Sequence, residues 1–362
     1  MKYNKIIIMT MIMFAVAVFT ACNQDEVFER EQYKHVIALK SEGVFKVFNQ
    51  EIDYSEVDAD GFVNGFISAS VGGSMPTDQS IKLTVVEDPL IFEQYNSFNF
   101  ASEAYRYASY IPENRKIIND YSINIPAGER TGVMNIRIRP DGLSPDTVYM
   151  LPFRVTGVSA YEMNQDMNTA LYRLLMKNEW SSIAAIPQYS HKGVSARIDL
   201  LTEQVEVTSF LEKHVHPVSA NQVRVYAGGD KIFDENSREL ETDIKQWAIK
   251  LTVNDGKVTI SPWFDAPNGM QVKQIDEPCG GGHTDWKCRI CEPEALEDES
   301  DTRDINSCYY DARYNNTYAI VDDGWGRLFK TFMLCYEFTN PDNGQRFIMK
   351  EELKIGHVTE VK

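Results

Sequence analysis

The stretch at residues 330–338 reads Lys-Thr-Phe-Met-Leu-Cys-Tyr-Glu-Phe, and it decides the fold class. Its large apolar side chains, Phe332, Leu334, Tyr336 and Phe338, occupy every second position. Successive side chains of a β-strand point to opposite faces of a sheet, so a period of two predicts a strand with one apolar face. The sequence therefore predicts a half-buried strand here.

The same period recurs at residues 81–85, 134–138 and 194–200. Asp-Gly, Gly-Gly and Asn-Gly pairs separate such runs, and these pairs favour turns. One short helix is predicted over Pro89–Phe98, because proline suits a first helical turn. No regular alternation of strands and helices is present, which argues against a parallel α/β sheet. We predict an all-β chain: an N-terminal immunoglobulin-like β-sandwich, then a C-terminal antiparallel β-barrel or sandwich, for which a lipocalin-like barrel is one form.

The pattern of predicted strands is interrupted near residue 180. A strand-like run ends at Met176, and a new series of strands opens after Pro187. The chain is long enough for about two domains. We therefore predict a β-sandwich at residues 33–179 and a β-rich domain at residues 180–362.

The N-terminus predicts export. Lys2 and Lys5 precede an apolar run that is shorter than the roughly 20 residues a membrane-spanning helix needs. Thr20-Ala21-Cys22 then resembles the lipobox of bacterial lipoproteins, in which the cysteine thiol accepts the lipid, although Phe19 stands where leucine is commoner. The alternative is an ordinary signal peptide with an incidental cysteine. We expect residues 1–21 to be removed, Cys22 to be lipidated, and residues 22–32 to form a tether.

An acidic segment follows the expected lipidation site. Asn23-Gln24-Asp25-Glu26 resembles the export signal that sends Bacteroidetes lipoproteins to the outer face of the cell. The alternatives are a solvated tether and a lipoprotein that faces the periplasm. We predict that the lipid anchors the protein in the outer membrane. We also expect the protein to face the exterior of the cell.

The net charge of the chain and its lack of catalytic motifs disfavour several classes of function. The formal net charge of −17 disfavours nucleic-acid binding, which needs basic patches against phosphate. The serine-hydrolase elbow pattern breaks at Pro76, and no phosphate-binding glycine loop is present. No acidic cluster of the glycosidase type is evident. We therefore predict a protein without enzymatic activity and without a cofactor; a glycoside hydrolase or esterase is the less favoured alternative.

Four cysteines cluster within a predicted loop at residues 279–308. The pair Cys288 and Cys291 has a zinc-knuckle spacing, and Cys279 or His283 with Cys308 would complete a tetrahedral set. Exported proteins more often oxidise such cysteines to disulfides, and four cysteines allow three pairings. The four cysteines could form disulfides, bind zinc or stay free thiols, and the sequence does not choose among these states. The identity of any bound metal is therefore unknown. A separate residue, Cys335, is predicted to be a buried free thiol within its strand.

Tryptophan side chains are candidate ligand contacts, because the C–H faces of sugars pack on aromatic rings. Trp325 lies in Asp-Asp-Gly-Trp-Gly-Arg, residues 322–327, and Trp286 lies in the cysteine loop. Trp263 follows Pro262. The alternative for each ring is a place in the core. We expect Trp325 and Trp286, and secondarily Trp263, to form ligand contacts.

Several stretches resemble a family of Bacteroidetes surface lipoproteins. They are residues 95–96, 125–128 and 149–155 for an N-terminal β-sandwich domain of unknown function, and residues 308–311, 330–338 and 349–353 for its C-terminal β-rich companion. Genes for such proteins often lie in polysaccharide-utilisation loci. The resemblance implies a surface lipoprotein that captures a polysaccharide or oligosaccharide, with an outer-membrane transporter as a partner. An adhesion or structural assembly lipoprotein with protein partners is the alternative. Inside residues 149–155, Pro152 predicts a sheet edge or a bulge, because proline cannot donate to a strand ladder.

Overall fold

The computed structural model describes residues 33–197, 205–206, 212–230, 241–265, 269–276 and 314–357. Strands dominate these residues, which confirms the predicted all-β class. The strands form two large curled, near-barrel sheets. Several features predicted from the sequence lie outside the described residues: the signal segment, Cys22, the tether, Trp286 and the loop with Cys279, Cys288, Cys291 and Cys308.

The first sheet contains eleven strands: β1 (Val36–Leu39), β2 (Val47–Asp53), β3 (Val63–Val71), β4 (Ile81–Glu87), β5 (Ser109–Tyr110), β6 (Lys116–Ile117), β7 (Ser122–Ile125), β8 (Thr131–Ile138), β9 (Tyr149–Val158), β10 (Glu162–Met163) and β11 (Thr169–Lys177). Their order is β10-β1-β3-β8-β7-β4-β9-β11-β2, with β5 on β9 and β6 on β8. Helix α1 (Pro89–Phe100) follows β4. Its predicted start at Pro89 is confirmed, and the Asp88 side chain caps it by accepting the N–H of Leu90 at 3.1 Å.

In the described part of the chain, the second sheet also contains eleven strands: β12 (Gln188–Arg197), β13 (Val205–Glu206), β14 (Glu212–His214), β15 (His216–Ser219), β16 (Gln222–Tyr226), β17 (Ala248–Asn254), β18 (Lys257–Pro262), β19 (Val272–Gln274), β20 (Thr317–Asp322), β21 (Leu328–Thr339) and β22 (Arg346–Gly356). Their order is β13-β12-β22-β21-β20-β18-β17-β16-β15, with β14 on β12 and β19 on β21. A short helix, α2 (Glu241–Trp247), precedes β17.

The chain divides into two compact units. The first comprises residues 1–50, 64–139 and 148–174, and the second comprises residues 51–63, 140–147 and 175–362. The domain boundary near residue 180 stays a prediction.

The alternation read from the sequence matches burial. Phe332, Leu334 and Tyr336 are fully buried in the core of the second unit, beside Met349 and Leu353 of β22. In the first unit, the alternate residues of β4 and β8 are also buried: Ile81, Leu83, Val85, Met134, Ile136 and Ile138. The predicted burial of Cys335 is confirmed, on the opposite face of β21.

The position of Pro152 differs from the expectation of an edge or a bulge. β9 lies inside the first sheet, between β4 and β11. The last residue of β4, Glu87, pairs with Phe153, and the next residue, Asp88, donates its N–H to the carbonyl oxygen of Pro152 at 3.1 Å. The proline therefore lies where the neighbouring strand has just ended, and the ladder loses little from its missing N–H.

Candidate functional site

The turn of the β20–β21 hairpin lies beyond the part of β20 that pairs with β18. Among the described residues, β20 pairs with β18 at one register position, Thr317 with Lys257, whereas it pairs with β21 along its whole length. The distal half of β20 is accordingly exposed, with Ile320 at 45% and Val321 at 42%. The turn at residues 322–327, hereafter the Trp325 turn, stands at the end of this exposed segment.

Asp322 shapes the first half of the Trp325 turn. Its Oδ1 atom accepts the backbone N–H of Gly324 at 2.7 Å and that of Gly326 at 3.1 Å. The φ angles of Gly324 and Gly326 are 83° and 80°, which is the left-handed region that glycine adopts at little cost. The Asp-x-Gly-x-Gly spacing therefore encodes this bend directly.

Asp323 holds the residue that carries the ring. Its Oδ1 atom accepts the backbone N–H of Trp325 at 2.9 Å and that of Arg327 at 3.2 Å. Its Oδ2 atom accepts from Nε of Arg327 at 2.7 Å. The Asp323 side chain is only 12% exposed, so these donors replace much of its hydration.

The charge of Asp323 is stabilised by these same donors. Desolvation acts to raise its pKa, but the N–H groups of Trp325 and Arg327 and the charge of the Arg327 guanidinium hold the pKa below the usual value. Asp323 thus remains an acceptor through the physiological pH range.

The Trp325 side chain is 85% exposed, and the Arg327 side chain beside it is 72% exposed. An indole face packs well on the C–H face of a sugar ring, and a guanidinium offers several donors to hydroxyl or carboxylate oxygens. The Trp325 turn therefore presents an apolar plane and a charged donor group on a hydrogen-bonded frame. This arrangement suits recognition of a surface or a flexible chain.

The other predicted contact residues lie elsewhere or outside the described residues. Trp263 is partly buried and packs against the core of the second unit, and its backbone N–H donates to the carbonyl oxygen of Ala248 at 3.0 Å. Trp263 therefore packs in part on the core at the end of β18, and its role as a ligand contact stays a prediction. Trp286 lies outside the described residues, so its part in a site stays a prediction.

A buried charged cluster in the second unit escaped the sequence reasoning. Glu351 projects into the apolar core, where it accepts from Nζ of Lys213 at 2.6 Å, from Nε2 of His191 at 2.8 Å and from the hydroxyl of Tyr336 at 2.9 Å. The side chains of Lys213, His191 and Glu351 are fully buried. The available signal was local: Glu351 occupies an apolar phase of β22, between Met349 and Leu353.

The chemistry of this cluster is that of a fixed charge. Burial alone would raise the pKa of Glu351, but Lys213 and His191 lower it to about 2. Burial, followed by the charge of Glu351, raises the pKa of Tyr336 well above its ordinary value. Glu351 is therefore a buried, ionised acceptor for Lys213, His191 and Tyr336 near neutral pH.

In the described part of the chain, no group of three or more His, Cys, Asp or Glu side chains is arranged to hold a metal ion. Nδ1 of His214 contacts the carboxylate of Asp230, which gives this histidine a carboxylate partner. The cysteines of residues 279–308 lie outside the described residues, so their oxidation state and metal remain open.

The strand order and the two units define a two-unit, β-rich protein. One family model, of an N-terminal domain, matches residues 35–162, and another, of a C-terminal domain, matches residues 168–354. The C-terminal match alone spans more than half of the chain. The chain therefore belongs to this Bacteroidetes family of two-domain, β-rich proteins.

Solved structures share this fold. A protein of unknown function from Bacteroides ovatus is 16% identical, with a TM-score of 0.58, and the match covers 90% of this chain and 98% of that one. A multidomain protein from the same organism is 17% identical, with a TM-score of 0.57 and coverages of 90% and 95%. An auxiliary nutrient-binding protein from Bacteroides thetaiotaomicron is 18% identical, with a TM-score of 0.52 and coverages of 86% and 90%. The comparison with curated proteins gave no match.

Proposed function

We propose that this protein is a non-catalytic lipoprotein of the cell surface that binds polysaccharide or oligosaccharide through the Trp325 turn. The observation that carries the proposal is the 85% exposed ring of Trp325 on a turn that Asp322 and Asp323 hold by four hydrogen bonds to backbone N–H groups. Covering a large apolar ring with a ligand removes its surface from water, which favours binding.

Preorganisation is the physical reason to place binding at this turn. A ligand that meets a mobile loop must pay for ordering it, whereas the Trp325 backbone is already fixed by Asp323. Ring stacking supplies contact area, and the exposed Arg327 guanidinium supplies directional donors. Trp286 remains part of the proposal as a second ring in the cysteine loop.

One of the fold relatives supports a binding role. One structural neighbour is described as an auxiliary nutrient-binding protein, which suggests a non-enzymatic binding role in this chain and a surface or extracellular location. Among the described residues, the charged cluster of Glu351, Lys213 and His191 has fully buried side chains, which supports a structural role for it.

The proposed location rests on the N-terminal sequence. Lipid on Cys22 would anchor the protein in the outer membrane, and the acidic residues 23–26 would direct it to the exterior. Within the described residues, no helix is long and apolar enough to cross a membrane. An outer-membrane transporter that imports the captured saccharide would be the natural partner.

A glycan array tests the proposed function. Purified protein should give signals on plant, host or microbial glycans, and calorimetry should reproduce the strongest of them. Silence of the folded protein across all three groups would refute carbohydrate binding.

A protein-binding role in adhesion or assembly is the second candidate. Exposed apolar side chains in the first unit favour it, because Val44 is 85% exposed and Phe98 is 77% exposed, with the Phe98 ring centroid 5.1 Å from that of Phe45. Crosslinking on intact cells would recover a specific protein partner in this case. Recovery of the monomer alone would count against it.

A further inference from the structure

The first unit carries a pocket of about 530 Å³ lined by both polar and apolar residues, within the usual size range of small-ligand sites. Its lining includes residues from β3, β7, β8 and the connection between β6 and β7. Four of the lining residues are exposed asparagines: Asn64, Asn119, Asn124 and Asn135. The pocket shares no residue with the Trp325 turn.

The strand register explains why a concavity forms here. Ile117 of β6 pairs with Arg137 of β8, and Asn124 of β7 pairs with Val133 of the same strand. Seven positions separate Ile117 from Asn124, whereas four separate Arg137 from Val133. Three extra residues must therefore leave the ladder between β6 and β7, and this excursion forms one wall of the pocket.

Glu87 fixes the excursion close to both of its ends. Nζ of Lys116, just before the excursion, donates to the two carboxylate oxygens of Glu87 at 2.7 and 2.9 Å. The hydroxyl of Tyr121, at the far end, donates to the same carboxylate at 2.7 Å, and the carbonyl oxygen of Tyr121 accepts the N–H of Val85 at 2.9 Å. The Lys116 side chain is only 3% exposed, so this anchor is well shielded. The pocket wall is therefore preorganised.

The lining has the chemistry of a neutral polyol site. Each asparagine amide offers both donors and an acceptor, which matches the hydroxyl groups of a sugar, since these also donate and accept. The charged lining residues, Asp120 and Arg137, are of opposite sign, and Oδ2 of Asp120 accepts from the Ser122 hydroxyl at 2.7 Å. Two partly exposed apolar residues, Ile117 at 36% and Val133 at 47%, offer surface to the C–H groups of a ring.

We propose that this pocket binds a neutral oligosaccharide, as a second site independent of the Trp325 turn. The proposal rests on the proposed function only in taking a saccharide as the ligand class. Amide side chains provide recognition here, whereas an aromatic ring provides it at the Trp325 turn. One chain would then hold a polysaccharide at two points, which raises avidity without new contacts at either site.

The test uses calorimetry on a Trp325→Ala background, so that binding through the Trp325 ring is removed and the change at the pocket asparagines reports on the second site. The probes are xylohexaose, mannohexaose, cellohexaose and maltohexaose, with hexagalacturonate as the acidic comparison. At least one neutral probe should bind, and the double change Asn124→Ala with Asn135→Ala should weaken this binding tenfold or more. Asn114→Ala, an exposed asparagine outside the pocket, is the matched control and should leave the affinity unchanged.

Three results would overturn the proposal: no binding of any neutral probe at millimolar concentration, binding of hexagalacturonate alone, or equal affinities with and without the double change. None of them touches the proposed function, which the glycan array and the comparison of wild type with Trp325→Ala decide together. Thermal unfolding confirms that each variant is folded. If the double variant unfolds, the isosteric Asn135→Asp change replaces it, with the same tenfold loss expected.

Discussion

The Oδ1 atom of Asp323 accepts the backbone N–H of Trp325 at 2.9 Å, so the residue that carries the exposed ring is held by the side chain two positions before it. The same carboxylate accepts from both the backbone and the guanidinium of Arg327. One carboxylate thus fixes both groups that we assign to ligand binding.

Asp323→Ala should weaken glycan binding although Asp323 need not touch the ligand. Loss of the acceptor leaves Trp325 to be ordered on binding, and ordering one loose side chain costs about 0.5–1.5 kcal/mol, so we expect roughly twofold to twelvefold lower affinity. Calorimetry with the best glycan from the array measures it. Asp342→Ala, in the exposed turn between β21 and β22, is the control and should bind as the wild type does. Equal affinity of both variants would contradict the role given to Asp323.

Glu351→Gln should lower the free energy of unfolding by about 3–5 kcal/mol at neutral pH, because it leaves the buried charge of Lys213 without its counter-ion. Urea unfolding followed by tryptophan fluorescence measures the change. Glu352→Gln is the matched control, since its side chain is partly exposed on the other face of β22, and it should change stability by less than about 0.5 kcal/mol.

The contribution of Glu351 should depend on pH in a defined direction. Its pKa is lowered from the ordinary value of 4.5 to about 2, so the folded state favours the ionised form. The resulting stabilisation is fully present above pH 4.5 and is lost as the pH falls towards 2. The stability gap between wild type and Glu351→Gln should therefore narrow over this window. A gap that stays constant down to pH 2 would show that the Glu351 charge contributes nothing to folding.

Gly132→Ala should destabilise the first unit. A Cβ atom at Gly132 would lie 2.3 Å from the carbonyl oxygen of Asn124, which is backbone and cannot move aside alone. Forced overpacking of this kind costs about 1–3 kcal/mol, and the urea midpoint should fall accordingly. Gly356→Ala, which meets no atom within 4 Å, should leave the midpoint unchanged.

Cys22→Ser should abolish membrane anchoring. The serine hydroxyl does not replace the thiol that accepts the lipid, and stable anchoring needs acyl chains buried in the membrane. Labelling with radioactive palmitate and cell fractionation should show an unlabelled protein that no longer sediments with membranes. Continued labelling of the serine variant would disprove the lipobox interpretation.

Sequence reasoning succeeded where the deciding signal is local. The period of two at residues 330–338 predicts the burial of Phe332 and Leu334, because side-chain direction in a strand follows from position alone. The glycines around Trp325 likewise predict a turn, since they serve the left-handed backbone that its bend requires.

Sequence reasoning failed where partners meet across long separations. Glu351 lies 138 residues from Lys213 and 160 from His191 along the chain, so its burial follows from strand pairing that no local pattern shows. The asparagine pocket escaped for the same reason: Asn64 and Asn135 come together only because β3 and β8 are neighbours in the sheet.

The central claim is that Trp325 binds glycan, and a calorimetric titration of wild type and Trp325→Ala with the strongest array glycan tests it most directly. Phe98→Ala, which removes an exposed ring from the first unit, is the control. We predict at least tenfold weaker binding for Trp325→Ala, which is about 1.4 kcal/mol, with unchanged stability and with Phe98→Ala binding as the wild type does. Equal affinity of Trp325→Ala and the wild type would contradict the account.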